Sequence, residues 1–548
     1  MALLLDIFGY LSVILRGLSI AAQAFMLGGI AFVLFLATPL RGALGGAGDT
    51  ILRRSLRITL WSALALAAVE ILAVLSEIAI LMDTAAIDLG KAAGAAFVTA
   101  GAIKIAGALA IAALCRWRPA RGALAIAGLA VLVGTTLTSH AVARLDDRVP
   151  LAVIDALHQL GAALWIGGLP CFLMALARCR DGRAWRLVGK RYSQLAMIAV
   201  ALLLGAGIAM SLVYLDAWGA LWGTAYGAMV MGKIAMFGGL LLLGALNFRL
   251  VERLRRDPTT PITRLRRCAE VEIGVGFTVF FAAASLTSLP PAADLTVDRV
   301  SLHEIVERLE PRWPPRLDSP DHASLSITQL QAQIAASAAD APDRPQAYVP
   351  GGGVAPPRNA EDIAWSEYNH HWSGLLVLAI GLLALAERTG KAPWARHWPL
   401  VFLLLAGFLF FRSDPETWPL GSEGFWESLR DPDVAQHRVF VVLIVAFAIF
   451  EWRVRTGRSK SPRAPYVFPL ICAAGGLLLL THSHALANVK EELLIEWTHL
   501  PLALLGVTAG WARWLELRLD PAERALAAWI WPICFTLFGL LMLFYREI

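Results

Sequence analysis

The chain has 548 residues, of which 57% are hydrophobic and only 16% are charged. Because soluble domains carry about 25% charged residues, this composition excludes a soluble globular protein and predicts an all-α polytopic membrane protein embedded in a lipid bilayer. The formal net charge is +6, but most basic residues lie in short connectors between apolar runs, where they set membrane topology, so no nucleic-acid partner is expected.

About fourteen apolar runs are long enough to cross a membrane as helices, each of which takes about 20 residues. Eight lie in the first half of the chain, near residues 12–38, 56–82, 93–115, 122–140, 153–177, 193–215, 226–248 and 268–289. Six lie in the second half, near residues 369–388, 396–412, 437–455, 464–482, 497–515 and 524–545. The sequence therefore predicts an 8 + 6 arrangement of transmembrane helices.

The segment between the two groups has a different composition. Residues 290–368 are richer in Pro, Ala, Asp and Gln, and too few of them are large apolar residues to form a core. Short helices are expected only at 301–309 and 326–336. We therefore divide the chain into a membrane domain at 1–289, a periplasmic linker segment on the outer face at 290–368, and a C-terminal membrane domain at 369–548.

Positive charges alternate between the connectors. Arginines are concentrated after the first, third, fifth and seventh predicted helices, whereas the connectors between them carry little positive charge. Basic residues accumulate on the cytoplasmic side, so we expect a bacterial inner-membrane protein with both termini in the periplasm. The first apolar run lacks a charged leader and a small-residue cleavage site, which favours a retained helix over a signal peptide.

The same histidine pattern occurs once in each half. In the first half, Ser139-His140-Ala141 ends one apolar run and His158 lies near the start of the next. In the second half, His482 and Ser483-His484-Ala485 end a run, and His499 lies near the start of the next. Antiparallel packing of consecutive helices would bring these ends together, and imidazoles placed in this way can ligate a metal ion.

In the predicted topology, ten of the eleven histidines lie on the outer side, with His397 as the exception. An amphipathic ring suits a membrane interface, and this explains individual histidines but not such a one-sided distribution. The predicted metal ligands are His140, His158, His437, His482, His484 and His499. His370 and His371 are secondary candidates, because two adjacent histidines at the start of a helix can aim only one ring inward. A thiolate site is not indicated, because the six cysteines include no Cys-x-x-Cys pair.

The methionines indicate which metal the predicted histidine site binds. Neutral imidazole suits copper, zinc, iron and nickel, whereas thioethers favour Cu(I). Met82, Met210, Met229 and Met231 lie in the outer halves of predicted helices, and Met236 lies deeper. Methionine also fills gaps in apolar packing, which stays the alternative for each one. As a set they favour copper, and Met210, Met229 and Met231 form a predicted transport path with Lys233.

Two further ionisable residues, Glu70 and Lys104, lie inside predicted helices. Such residues cost about 2.5–3.5 kcal/mol or more at a helix centre, so they normally pair or line a polar path. Adjacent helices can place Glu70 and Lys104 at similar depth, and we expect them to form an ion pair. The pair either belongs to the transport path or only fixes the register of the two helices.

A longer pattern around His158 points to a family. It reads Leu157-His158-x-x-Gly161-x-x-Leu164-Trp165-Ile166-Gly167-Gly168-Leu169, and it occurs with Ser139-His140-Ala141, Gly232-Lys233 and Asn247. Together these residues, over about 1–289, resemble the copper resistance protein D (CopD) family. The second half is similar to the C-terminal region of longer members, through Asp414-Pro415-Glu416-x-Trp418-Pro419-x-Gly421, Gln436-His437-Arg438 and Trp511-Ala512-Arg513-Trp514.

The resemblance implies copper handling at the cytoplasmic membrane, for uptake or for resistance. It also implies that copper moves inward and that a periplasmic copper-binding protein of the CopC type is the partner. Some members carry that partner as a fused β-domain. Residues 290–368 lack the alternating pattern of strands, so here the partner would be a separate protein.

Two alternatives stay open. The chain could sense or store copper without moving it. It could also be a b-type haem electron carrier with outer-face histidine ligands, since helical bundles hold haem in this way; the scarcity of inner-face histidines argues against this. No hydrolase or phosphate-binding motif is present, so the protein is not expected to be an enzyme.

Overall fold

The computed structural model describes residues 2–85, 87–117, 120–139, 147–297, 299–330, 332–333, 358–429, 432–481 and 490–547. In these ranges, thirteen helices are long and apolar enough to cross a membrane, and the sixteen-residue helix Arg121–Thr136 is a shorter apolar one. The only strand-like feature in the same ranges is an isolated bridge between Thr417 and Glu423. The prediction of an all-α polytopic membrane protein is confirmed.

We number the helices in chain order. The first eight are α1 Phe8–Ala37, α2 Gly46–Ala85, α3 Ala96–Trp117, α4 Arg121–Thr136, α5 Arg148–Arg178, α6 Gly182–Tyr214, α7 Ala225–Arg256 and α8 Thr263–Leu286. The last six are α9 Ala360–Arg388, α10 Pro393–Arg412, α11 Val434–Arg455, α12 Ala464–Thr481, α13 Leu493–Arg518 and α14 Ala525–Leu543. Every predicted apolar run corresponds to one of these helices.

Several helices extend beyond the predicted runs at their Arg-rich ends. Helix α2 begins at Gly46 instead of near residue 56, and α6 begins at Gly182 instead of near 193. The N-terminus of α6 is capped by the Asp181 side chain, which accepts from the Ala184 amide at 2.8 Å. Hydropathy marks only the part of a helix that lies in hydrocarbon, whereas backbone hydrogen bonding continues where Arg side chains reach polar surroundings.

The chain forms two compact units. Unit 1 comprises Met1–Ser301 and Leu477–Glu496, and unit 2 comprises Leu302–Gly476 and Trp497–Ile548. A short helix, Leu302–Leu309, precedes α9 in unit 2. The division of the chain at residues 289 and 368 stays a prediction.

Unit 1 is organised around a close crossing of α1 and α5. Helix α5 contains a π-helical turn, Ala163–Gly167, which α1 crosses. A Cβ atom on Gly28 would lie 2.2 Å from the Gly167 carbonyl carbon, and one on Gly167 would lie 1.9 Å from the Ala24 carbonyl oxygen. Only glycine fits at such a backbone contact, which gives a structural reason for the Gly-Gly pair at 167–168.

We therefore expect Gly167→Ala to destabilise the protein by about 1–3 kcal/mol or more, because the added methyl group overlaps backbone atoms that cannot move independently. The matched control is Gly238→Ala on α7, where a Cβ atom would meet nothing within 4 Å. The measurement is the temperature at which detergent-purified protein loses its monodisperse peak in size-exclusion chromatography. Equal melting temperatures for the two variants would contradict the close crossing.

In unit 2 the end of the chain is held by a network of buried polar contacts. Arg308 forms an ion pair with Glu547 at 3.0 Å, and both side chains are almost fully buried. Glu547 also accepts hydrogen bonds from Ser366 at 2.7 Å and from the Tyr545 hydroxyl at 2.8 Å. The short helix Leu302–Leu309, the start of α9 and the residues after α14 are thus joined at one carboxylate.

This network makes the stability of unit 2 dependent on pH. Burial would raise the pKa of Glu547, but Arg308 and the hydrogen bonds from Ser366 and Tyr545 hold that pKa below its ordinary value of 4.5. A carboxylate whose pKa is lowered by folding stabilises the folded state above its unfolded pKa, and this contribution is lost as the pH falls through the folded pKa.

We expect Glu547→Gln to lower the melting temperature at neutral pH and to differ little from the unchanged protein once the pH falls below the lowered pKa. Glu310→Gln is the control, since it removes an exposed pair with Arg546, and such pairs contribute only about 0–1 kcal/mol. Melting curves across the acid range test this. A Glu547→Gln deficit that persists unchanged in acid would contradict it.

Candidate functional site

A cluster of polar side chains lies inside unit 1. Asp155 accepts a hydrogen bond from Gln159 at 2.9 Å, one turn further along α5. Gln159 in turn accepts from Gln23 of α1 at 2.9 Å, and Thr135 of α4 donates to the same Gln23. Ser139, just after α4, is hydrogen-bonded to Asp155. Three helices therefore contribute to one polar cluster among apolar residues.

The predicted hairpin packing is thus observed between the end of α4 and the start of α5. Ser139 belongs to the Ser-His-Ala motif, and its contact with Asp155 brings the motif to within one turn of His158 on the neighbouring helix. His140 itself lies outside the described residues, as do His482 and His484 of the second copy.

His158 is the metal-ligand candidate in this cluster. Its ring is hydrogen-bonded to the backbone of Leu203 and packs over Gly207, where a Cβ atom would lie 3.5 Å from the ring. The Nδ1 atom is buried and has no hydrogen-bond partner among the described residues. The bond to Leu203 must then use Nε2, so Nδ1 carries a lone pair. A buried acceptor without a hydrogen bond costs about 1–3 kcal/mol. A bound cation at Nδ1 would remove this cost.

Lys233 of α7 faces the same cluster and interacts electrostatically with Asp155 and His158. Helix α5 begins at Arg148 and helix α7 begins at Ala225. At 1.5 Å per residue, Asp155 and Lys233 each lie about 10–12 Å from the start of their helix. Asp155 compensates the positive charge of Lys233. The His158 imidazole therefore lies beside a pair of opposite charges whose sum is zero.

Among the predicted path methionines, Met229 is buried and Met231 is exposed over 38% of its surface. Met229, Lys233 and Met236 are spaced i, i+4 and i+7, so they share one face of α7. Met231 lies on the other side of that helix. Met210 is half-buried on α6. The face with Met229, Lys233 and Met236 is therefore the one that could line a path, and the role of each methionine stays a prediction.

The expected Glu70–Lys104 ion pair is present. The Lys104 ammonium lies 2.7 Å from the Glu70 carboxylate, and both residues are buried. Ser19 of α1 also donates a hydrogen bond to Glu70. Gly134 of α4 makes room for the lysine stem, because a Cβ atom there would lie 2.9 Å from Lys104 Cγ. The pair is confirmed; its part in a transport path stays a prediction.

Removing one partner of this pair should be more damaging than removing both. Lys104→Met leaves a buried carboxylate without its cation, which costs about 3–5 kcal/mol, whereas replacing both partners is often close to neutral. We therefore expect Lys104→Met to melt well below the Glu70→Gln/Lys104→Met double variant in the same chromatographic assay. Equal stability of the single and double variants would show that the two charges do not compensate each other.

In unit 2, His437 forms a charge-assisted pair with Asp414. The His437 Nδ1–H group donates to Asp414 Oδ1 at 2.5 Å, and Ser413 donates to the other carboxylate oxygen at 2.7 Å. The His437 side chain is 48% exposed. Metal-bound histidines commonly donate their second nitrogen to a carboxylate in this way, so the pair with Asp414 gives His437 the ring orientation of a metal ligand.

The next residue holds the surrounding loop. Arg438 donates hydrogen bonds to the Phe410 carbonyl at 2.6 Å, the Thr417 hydroxyl at 2.8 Å and the Trp418 carbonyl at 3.1 Å. The sequence motif at 414–421 and the motif at 436–438 thus form one structure, in which the arginine shapes the loop and the histidine is oriented by its aspartate.

His370 and His371 have different environments. His371 is fully buried; its Nδ1 accepts from the Arg316 amide at 2.6 Å, and its Nε2–H donates to the Tyr545 carbonyl at 2.7 Å. Both of its nitrogens are therefore occupied. His370 donates from Nδ1 to the Ser366 carbonyl at 2.8 Å, which leaves its Nε2 lone pair as the atom able to ligate.

The His370 ring is close to His499. The two ring centres are 6.1 Å apart, and Tyr545 stacks on His370 at 4.0 Å. With metal–nitrogen bonds of about 2 Å, two imidazoles on one ion have ring centres roughly 5–6.4 Å apart. The spacing is compatible with a shared ion. The described residues include no group of three or more His, Cys, Asp or Glu side chains arranged to hold a metal.

Sequence reasoning overlooked Glu272 and Asp155. Glu272 is almost fully buried in α8, where it accepts from Trp165 Nε1 at 2.9 Å and from the Asn247 side-chain amide. Both residues are carboxylates inside apolar runs, and the cost of such groups in a membrane was the signal that could have identified them.

The second half of unit 1 is similar to a known protein family. Residues 186–286, from α6 to α8, match the family model described as Copper resistance protein D. The predicted resemblance to the CopD family is confirmed. The matched range includes the CopD-type residues Lys233 and Asn247, and also Glu272.

One curated relative, the copper transport protein CutJ of Bacillus subtilis (strain 168), is 31% identical over 164 residues. The alignment covers 29% of this chain and 29% of that protein. The chain therefore matches less than a third of the relative's length. No solved structure shows a significant match.

Proposed function

We propose that this protein handles copper in the inner membrane of a bacterium, that it binds copper through histidines near the periplasmic face, and that it moves copper into the cell. The observation that carries the proposal is the Nδ1 atom of His158, which is buried and has no hydrogen-bond partner among the described residues. Its neighbours Leu203 and Lys233 lie on α6 and α7, within the range that matches the CopD model. A neutral nitrogen lone pair in that position is a ligand for a soft or borderline cation.

The surroundings of His158 suit a cation that passes through. Lys233 repels a cation, and Asp155 offsets this repulsion, so the cluster offers a neutral donor without a surplus of negative charge. Such a site holds copper weakly enough to release it. Met229 and Met236, on the same face of α7 as Lys233, would supply thioether ligands for Cu(I) on either side of it.

In unit 2 we propose His437 and the pair His370 and His499 as two places where copper is taken up, with His482 and His484 and, in the first half, His140 as additional ligands. We assign His371 a structural role, because a metal could reach it only by displacing one of its two hydrogen bonds. The copper donor would be a separate periplasmic protein of the CopC type.

We also propose that both termini lie in the periplasm, as the distribution of arginines predicts, and that the protein carries out no catalytic step.

The test is the copper content and visible spectrum of the detergent-purified protein. We expect His158→Ala to weaken copper binding at the unit 1 site by about tenfold or more, as substitutions at metal sites do, and to reduce copper accumulation by cells. His303→Ala is the control, because His303 is exposed on the short helix Leu302–Leu309.

A Soret band with iron and without copper would contradict the proposal and favour the b-type haem alternative. Unchanged copper binding and accumulation in His158→Ala would contradict the assignment of His158. Copper binding without accumulation by the unchanged protein would favour storage or sensing.

A further inference from the structure

Two buried glutamates of unit 1, one in α2 and one in α8, have opposite surroundings. Glu70 and Glu272 are 3% and 2% exposed, and both lie well inside membrane helices. Glu70 is paired with the Lys104 ammonium at 2.7 Å. Glu272 is hydrogen-bonded to two neutral groups, the Trp165 indole and the Asn247 amide, and it takes part in no ion pair among the described residues. The first environment stabilises a carboxylate; the second does not supply a compensating charge.

The titratable groups around Glu272 are few. On α6 the Tyr192 phenol lies close to it, and on α5 the nearest thiol is Cys171, beyond Tyr192. On its own helix the buried thiol Cys268 lies one turn before it, and Arg267 is paired with Glu270. On α7 Arg249 is exposed, and Lys233 lies fourteen residues before Asn247, about 21 Å along the helix. The only charged side chain in the α1 span is Arg16. Within the described ranges, no cation therefore replaces the solvation that Glu272 loses on burial.

Asn247 is suited to both protonation states of this carboxyl group. Its Nδ2 donates to Glu272 Oε1, while its own Oδ1 is buried and has no hydrogen-bond partner among the described residues. If Oε1 binds a proton, rotation of the amide lets Oδ1 accept the new O–H group. An amide can thus be a donor to the carboxylate or an acceptor from the acid, whereas a lysine stabilises the ionised form alone.

We propose that Glu272 is a proton-binding site inside the membrane and that it takes up and releases a proton as copper passes unit 1. The second half of this statement rests on the proposed function. The step is a simple transfer: a proton from water binds Oε1 as the Asn247 amide turns, and the same proton leaves when the carboxylate forms again.

Trp165 connects Glu272 to the helix that carries His158. Trp165, which donates to Glu272, lies seven residues after His158 on α5, which is about two turns. It lies within the π-helical turn Ala163–Gly167, and its carbonyl accepts from the Tyr192 hydroxyl. Protonation replaces a charge-assisted bond to the indole by a weaker neutral one, so it loosens the contact that fixes this turn relative to α8.

The proton site is tested by infrared spectroscopy of the full-length protein in lipid vesicles between about pH 5 and pH 9, a range that spans ordinary and raised carboxyl pKa values. We expect a protonated-carboxyl C=O band that disappears on titration, is absent in Glu272→Gln and persists in Asp88→Asn, whose carboxylate caps a short helix near the surface. If subtracting the Glu272→Gln spectrum shows only an ionised carboxylate at every pH, the proposal is overturned.

The coupling is tested by adding Cu(I) to vesicles that contain a trapped pH indicator. The unchanged protein should move protons when copper enters, and Glu272→Gln should lose at least about nine-tenths of this proton signal while it still binds copper, because it leaves His158 intact. Copper-driven proton movement that survives in Glu272→Gln would overturn the coupling. If the unchanged protein moves no copper, the proposed function fails, and the infrared result still decides the proton site by itself.

Discussion

Within hydrocarbon, a polar side chain has to find its compensation in the protein, because no water is available to supply it. Unit 1 meets this constraint in three graded ways. Glu70 has a full countercharge in Lys104. Glu272 has hydrogen bonds but no countercharge among the residues that the structure describes. His158 has one bonded nitrogen and one buried nitrogen that has no hydrogen-bond partner in the described part of the chain. From Glu70 to Glu272 to His158, the polar group has fewer stabilising partners in the protein. A group with fewer partners is better able to bind a proton or a cation, so Glu272 and His158 are the stronger functional candidates.

The crossing of α1 and α5 makes this arrangement possible. The glycines at 28 and 167 let the two backbones touch, and the π-helical turn widens α5 at the same place. The part of α5 before the turn carries Asp155, His158 and Gln159, while the turn itself carries Trp165. A π-helical turn interrupts the regular face of a helix and is frequent at functional sites. Here it lets one helix contribute to both the histidine cluster and the Glu272 site.

Hydropathy was sufficient to find all fourteen helices, because the hydrocarbon core selects apolar runs of fixed length. It was insufficient at the Arg-rich ends, where α2 and α6 continue for about ten residues outside that core. The Glu70–Lys104 pair was predictable from depth alone. Which of His370 and His371 would be occupied was not predictable, since the partners of His371, Arg316 and Tyr545, are remote in sequence. Glu272 was missed because it follows the arginines at the start of α8 and resembles a continuation of that charged end.

In the proposed function, the histidines of the two units take part in different steps. His437 is half exposed, and Asp414 makes its outer nitrogen a stronger donor, which favours capture of a hydrated cation from water. His158 lies among apolar helices beside a lysine, where a cation gains a ligand but no attractive charge. We expect a cation held there to be bound less tightly than one held by an aspartate-supported histidine. Tight capture at an exposed site followed by weak binding at a buried one does not by itself drive transport, because copper would stay at the first site. A second ion moving in a coupled direction would provide the missing driving force. We propose a proton for this role, carried by Glu272, which accepts a hydrogen bond from Trp165 two helical turns after His158.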